Sequence, residues 1–184
     1  MTVGRVSGNE IGVDTGLDVD GNVQSKGKEE EDCQNYIKVI TPDATTGNLL
    51  VCGTYAQKPR CVILNGKEVD TWNLANRWKT NATDALYKCP FGVDQKVTTV
   101  FADGSLYAGT VADFSGRGSA FTRSMGGGYL PLISKKSDSI WLNDPVFVGS
   151  YQEDNEVYLF FREMSIETQF TEKMHYSRIT AVSI

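Results

Sequence analysis

Apolar and polar residues alternate in short runs along most of this chain, and the clearest case spans Val97 to Ser124. It reads Val-Thr-Thr-Val-Phe-Ala, then Asp103-Gly104, then Ser-Leu-Tyr-Ala-Gly-Thr-Val-Ala. A polar turn from Asp113 to Gly118 follows, and then Ser-Ala-Phe-Thr-Arg-Ser. Val, Thr, Phe and Tyr suit a pleated surface. Asp-Gly between two such runs is a strong hairpin signal, because both residues tolerate positive φ. The stretch predicts an up-down-up meander of three antiparallel strands. A meander with two apolar faces cannot stand alone, so it must stack on others like it.

The same pattern predicts strands at Asn35–Ile40 and Leu49–Ala56, with a turn through Thr41-Pro42-Asp43 to Gly47. Cys61–Leu64, Asn65-Gly66 and Lys67–Val69 read as a second hairpin, Asn-Gly being a favoured turn pair. Trp72 to Asp84 reads as a long loop or one short helix. Val146–Tyr151, Val157–Arg162 and Tyr176–Ile184 complete the strands, and the chain stops inside the last of them.

The strands recur at intervals. Gly47–Thr54 resembles Asp103–Thr110, placing Gly53 and Gly109 56 residues apart. Asn155–Phe161 repeats the turn-then-apolar-strand pattern, with Tyr107 and Tyr158 51 residues apart. A propeller blade of four strands takes roughly 40–50 residues. The spacing suits one blade per repeat, and equally any antiparallel β domain with evenly spaced strands.

Charge divides the chain. Residues 1–32 hold eight acids and three bases, and the remainder holds fifteen of each, so the net −5 sits at the start. That acidic segment lacks aromatic residues and cannot bury enough apolar surface to offset the entropy of ordering. Residues 1–31 are therefore expected to be a disordered tail. The neutral remainder offers no basic field for nucleic acid or anionic lipid. No apolar run of signal-peptide type follows Met1–Arg5, and no stretch approaches the ~20 apolar residues of a membrane helix. Taken alone, these features describe a soluble cytosolic chain.

Candidate chemistry is sparse. There is no Gly-rich phosphate loop, Gly-x-Ser-x-Gly elbow or His-Glu-x-x-His. His175 is the only histidine and reads as structural and partly exposed. The four cysteines lack Cys-x-x-Cys spacing, which argues against zinc. Glu153–Glu156 reads as a solvated hairpin tip rather than a calcium site. No catalytic residue, metal or cofactor is expected. Cys52 and Cys61 lie nine residues apart at the ends of neighbouring strands, a separation that suits a disulfide, with two buried free thiols as the alternative. Asn81-Ala82-Thr83 is an N-glycosylation acceptor in a polar loop. These two features point outside the cell.

In order along the chain, Cys33-x-Asn35-Tyr36-Ile37, Cys52-Gly53-Thr54-x-Ala56 and Pro59-x-Cys61 resemble the opening of the sema domain of semaphorins. Cys89-Pro90-Phe91, Ala102-Asp103-Gly104-x-Leu106-Tyr107-x-Gly109-Thr110 and Asp113-Phe114 are similar to its next motifs. Trp141–Pro145 with Phe147-Val148, Val157–Glu163 and Tyr176-Ser177-Arg178 continue the match, which covers Asp32 to about Val182. Phe114-Ser115-Gly116-Arg117 with Arg123-Ser124-x-Gly126 leans toward the class-five transmembrane members. The resemblance implies an all-β fold: the first two to three four-stranded blades of a seven-bladed propeller, with 32–184 as the N-terminal part of a truncated domain. It implies binding to plexin-type receptors, signalling in axon guidance and cell migration, and a homodimer in the complete form. It also implies a cell-surface or extracellular location, a Cys52–Cys61 disulfide and no catalysis. Attachment to a membrane would need segments absent from this chain.

The chain departs from the pattern in places. The upstream cysteine that would partner Cys33 is absent, and Ser183 stands where many members carry a cysteine, so Cys33 and Cys89 lack obvious partners. Leu132-Ile133-Ser134 replaces the family's Leu-Arg-Thr. A sema-domain receptor of plexin or Met type is the alternative reading; the Asn-Tyr-Ile and Trp-Leu-Asn-Asp-Pro motifs favour the ligand branch. A propeller enzyme is the second alternative, and the acids and histidines at strand ends that would mark one are not visible.

Overall fold

The computed structural model describes residues 5–6, 34–66, 77–124, 126, 128, 130–135, 141–166 and 174–184. Cys33, the outer arm of the hairpin read at 67–69, Trp72 and all of the acidic tail but Arg5 and Val6 lie outside the described residues.

Among the described residues, twelve strands form three antiparallel sheets in which sequence neighbours pair. The first contains β1 (Arg5–Val6), β2 (Asn35–Asp43), β3 (Asn48–Gly53), β4 (Arg60–Asn65) and β5 (Thr83–Asp84) in that order. The second contains β6 (Thr98–Ala102), β7 (Ser105–Val111), β8 (Ser119–Ser124) and β9 (Leu132–Ile133). The third contains β10 (Val146–Glu153), β11 (Glu156–Met164) and β12 (His175–Ser183). These are the sheets of a partial propeller. β6 packs against both β2 and β10, so the first full strands of the three sheets lie side by side with β6 in the middle.

Local chemistry explains the turns. Asp103 and Gly104 take φ values of 46° and 68°, the two left-handed positions a type I′ turn requires, and β6 and β7 pair in register from Ala102↔Ser105 to Thr98↔Gly109. Asp154, with φ 48°, closes the β10–β11 hairpin, where Glu153 pairs with Glu156. The turn read at Thr41-Pro42-Asp43 is strand instead: β2 runs to Asp43, and Pro42 pairs with Leu49. Pro42 is tolerated because β2 has a ladder partner on one side only at that point, so the proline sits on an edge. Of the segment read as a loop or short helix, residues 77–80 form one helical turn.

The core consists of layers between sheets. Val39, Leu50, Cys52, Cys61, Cys89 and Leu106 pack between the first and second sheets. Ala102, Tyr107, Val157 and Leu159 pack between the second and third, beside Leu142, Phe147 and Phe161. The adjacent residues Leu106 and Tyr107 therefore enter different layers, as period-two side chains must. All seven residues of β7 are buried, because its sheet is covered on both faces. β11 alternates buried and accessible positions, because its sheet is covered on one.

Candidate functional site

The motif residues of the sequence act first as structural fasteners. Asn35 is 1% exposed, and its Oδ1 accepts from the Tyr55 N–H at 3.1 Å. The Thr54 hydroxyl accepts from the Tyr36 N–H and donates to the Gln34 carbonyl, both at 3.1 Å. Together these bonds tie the start of β2 to the turn after β3, where Tyr55, Ala56 and Gln57 all have positive φ. Gly53 is required here, since a Cβ at that position would lie 2.1 Å from Asn35 Oδ1.

The Trp-Leu-Asn-Asp-Pro segment is held in the same way. The Asn143 N–H donates to Glu163 Oε2 at 2.9 Å, and Asn143 Nδ2 donates to the Met164 carbonyl at 3.1 Å. Glu163, only 8% exposed, receives Arg178 on its other oxygen. One carboxylate thus links the segment before β10 to β11 and β12. Trp141 itself stands 62% exposed.

Cys52 and Cys61 are opposed in the β3–β4 ladder and joined by a disulfide. Cys89 is a free, buried thiol in the same layer. Burial pushes its pKa far above the ordinary 9.0, while the Lys38 charge opposes this weakly. A thiol so shifted is not a nucleophile at neutral pH. Asn81 is exposed at the end of the helical turn, its side-chain oxygen accepting from Thr80 at 2.5 Å. The Thr83 hydroxyl of the same sequon donates to the Cys61 carbonyl at 3.2 Å.

Where β2, β6 and β10 converge they enclose a cavity of about 450 Å³. The Lys38 ammonium donates to the Val93 carbonyl, the Thr98 hydroxyl donates to Ser150 Oγ at 2.8 Å, and the Thr41 and Thr99 hydroxyls are bonded to each other. His175 is exposed at the start of β12, and Glu153–Asn155 are exposed at the β10–β11 tip. No group of three His, Cys, Asp or Glu among the described residues could hold a metal. What the geometry offers chemically is a rigid surface and a lined cavity.

Three features escaped the sequence reading. Gln95 organises the entry to β6, its Oε1 accepting from the Phe91 and Gly92 N–H groups at 3.0 and 2.9 Å. The Glu163–Arg178 pair joins positions 15 apart in sequence through strand register, which no spacing rule reports. The bulge that carries Lys38 interrupts an otherwise continuous strand, and nothing in Ile-Lys-Val marks it.

No family model matches the chain. Mouse Semaphorin-6D is 35% identical over 161 residues, covering 88% of this chain and 14% of that protein. Drosophila Semaphorin 2a superposes with a TM-score of 0.72 at 29% identity, over 86% of this chain and 28% of the solved one. A solved structure described as Drosophila Plexin A in complex with Semaphorin 1b matches with a TM-score of 0.67 at 36% identity, over 86% of this chain and 28% of the matched chain. The chain therefore spans about one seventh of that curated relative and less than a third of the solved chains.

Proposed function

This chain is a relative of the semaphorins that matches part of their sema domain, and from that premise we propose that it serves in an extracellular guidance ligand read by a plexin-type receptor. Within that reading, residues 32–184 supply three consecutive blades of a propeller, and further blades complete the receptor-binding surface. The ligand acts in axon guidance and cell migration as a homodimer, without catalysis. The observation that carries the proposal is the 36% identity and shared fold with a chain from the plexin–semaphorin complex. The Cys52–Cys61 disulfide and the exposed Asn81 acceptor support an oxidising, glycosylating compartment. Asn81 is the proposed glycan site; Cys33 and Cys89 have no proposed partner.

A specific interface usually buries about 800 Å² per partner on a preformed surface. A chain with fewer blades would order part of that surface at binding, which weakens association. The test is a secreted Semaphorin-6D in which residues 33–184 of this chain replace the matched segment, passed over immobilised plexin ectodomains by surface plasmon resonance. Saturable binding to at least one plexin is expected, with the 184-residue chain alone weaker by about ten-fold or more. A cooperatively folded chimera that binds no plexin overturns the proposal.

A further inference from the structure

The cavity at the meeting point of β2, β6 and β10 is built by irregularities in two of those strands. The β2 ladder passes from Ile37↔Gly53 to Val39↔Cys52, leaving Lys38 as an extra residue. The β10 ladder passes from Phe147↔Phe161 to Gly149↔Phe160, leaving Val148 as an extra residue. A bulge takes its residue out of the ladder and re-aims the side chain, and bulges concentrate beside functional sites. Here both bulged residues line the same cavity.

Charge in the cavity is one-sided. Lys96 lies on the wall with Lys38. Burial lowers the Lys38 pKa most and the Lys96 charge lowers it further, while Cys89 and Asp94 raise it less. Of the three donors on the Lys38 ammonium, the Val93 carbonyl takes one. Beside these cations stand the accessible apolar side chains Ile40 and Val148, 49% and 71% exposed. Two ammonium groups next to an apolar wall repel each other in a reduced dielectric, and an anion between them would relieve both the repulsion and the missing solvation.

We propose that this cavity binds an organic anion, a carboxylate or comparable oxyanion head on a short apolar body. The head sits between Lys38 and Lys96 and the body lies against Ile40 and Val148. At about 450 Å³ the cavity falls within the range of small-molecule sites, and its mostly apolar lining with a few convergent polar groups is typical of them.

Isothermal titration calorimetry of the 184-residue chain with octanoate tests this, with octanol and inorganic sulfate as separate arms. Saturable one-to-one octanoate binding is expected, with octanol and sulfate each weaker by about ten-fold or more. Lys96→Gln should weaken octanoate by about ten-fold, and Lys38→Met by as much or more. Lys96 is exposed, so its variant folds even if the half-buried Lys38→Met does not. No saturable octanoate binding overturns the proposal. So does octanol binding as tightly, which would leave an apolar patch only, or sulfate binding as tightly, which would leave no role for the apolar wall. Octanoate affinity unchanged in folded Lys96→Gln also overturns it.

Discussion

Replacing Gly109 by Ala should destabilise the junction of the second and third sheets. A Cβ at Gly109 would lie 2.6 and 2.7 Å from Cδ1 and Cε1 of Phe147, well inside van der Waals contact. The ring cannot swing away freely. It is 5% exposed and wedged between Phe121, at 5.7 Å between centroids, and Phe161, at 6.4 Å. Gly109 has ordinary strand φ, so the added methyl brings no backbone strain and even a small entropic gain in the unfolded chain. Overpacking of this kind costs about 1–3 kcal/mol. In a domain of this size each kcal/mol lowers Tm by about 2–4 °C. Urea unfolding followed by tryptophan fluorescence measures the loss. Phe147→Leu should destabilise by about 1–2 kcal/mol through lost ring contacts, yet it makes room for the methyl. The double variant should therefore be more stable than the sum of the single effects by about 1 kcal/mol. Unchanged stability in Gly109→Ala, or strict additivity in the cycle, would refute the packing argument.

Other outcomes follow from the remaining fasteners. Non-reducing peptide mapping of secreted protein should recover Cys52 linked to Cys61, and Cys61→Ala should lower stability by about 2–3 kcal/mol for so short a closed loop. Native Cys89 should resist alkylation until the protein unfolds, which mass spectrometry can time. Glu163→Ala should cost about 2 kcal/mol by removing the acceptor of the part-buried Asn143 N–H and one ion-pair partner of Arg178, read from the urea midpoint. Burial acts to raise the Asp113 pKa, but bonds from Ser115, Arg117, Gly118 and Gly116 hold it below the ordinary 3.8. Its stabilising contribution is thus present above the unfolded pKa and fades as pH falls through the lower folded value, so Asp113→Asn should flatten the acid limb of a stability–pH curve.

The second sheet was legible almost residue by residue, because Asp103-Gly104 declares its turn and Val, Thr and Phe alternate on either side. The first sheet was harder. Tyr55-Ala56-Gln57 contains no glycine, yet all three residues take positive φ, held by bonds from Asn35 and Thr54 that depend on residues about 20 positions away. Pro42 looked like a turn residue because sequence cannot say that it lies on an edge. β5 and β9, two residues each, carry too little periodicity to detect and exist only because a longer neighbour presents a ladder. The candidate site was the least visible part. The lining of the cavity comes from three strands roughly 50 residues apart, and the bulges that aim Lys38 and Val148 arise from register, not composition.

The stacking of the three sheets about β2, β6 and β10 underlies both the proposed receptor reading and the cavity, and amide hydrogen exchange tests it most directly. β7 and β11 each have a ladder partner on both sides, so hydrogen bonding alone would protect them alike. They differ in cover, since β7 is buried throughout and β11 only at alternate positions. Exchange from the deepest cooperative unit is the slowest. Ser105–Val111 should therefore exchange more slowly than Glu156–Met164, and the outer strand His175–Ser183 fastest of the three. β11 exchanging as slowly as β7, or β7 exchanging as fast as β12, would contradict a middle sheet enclosed between two others.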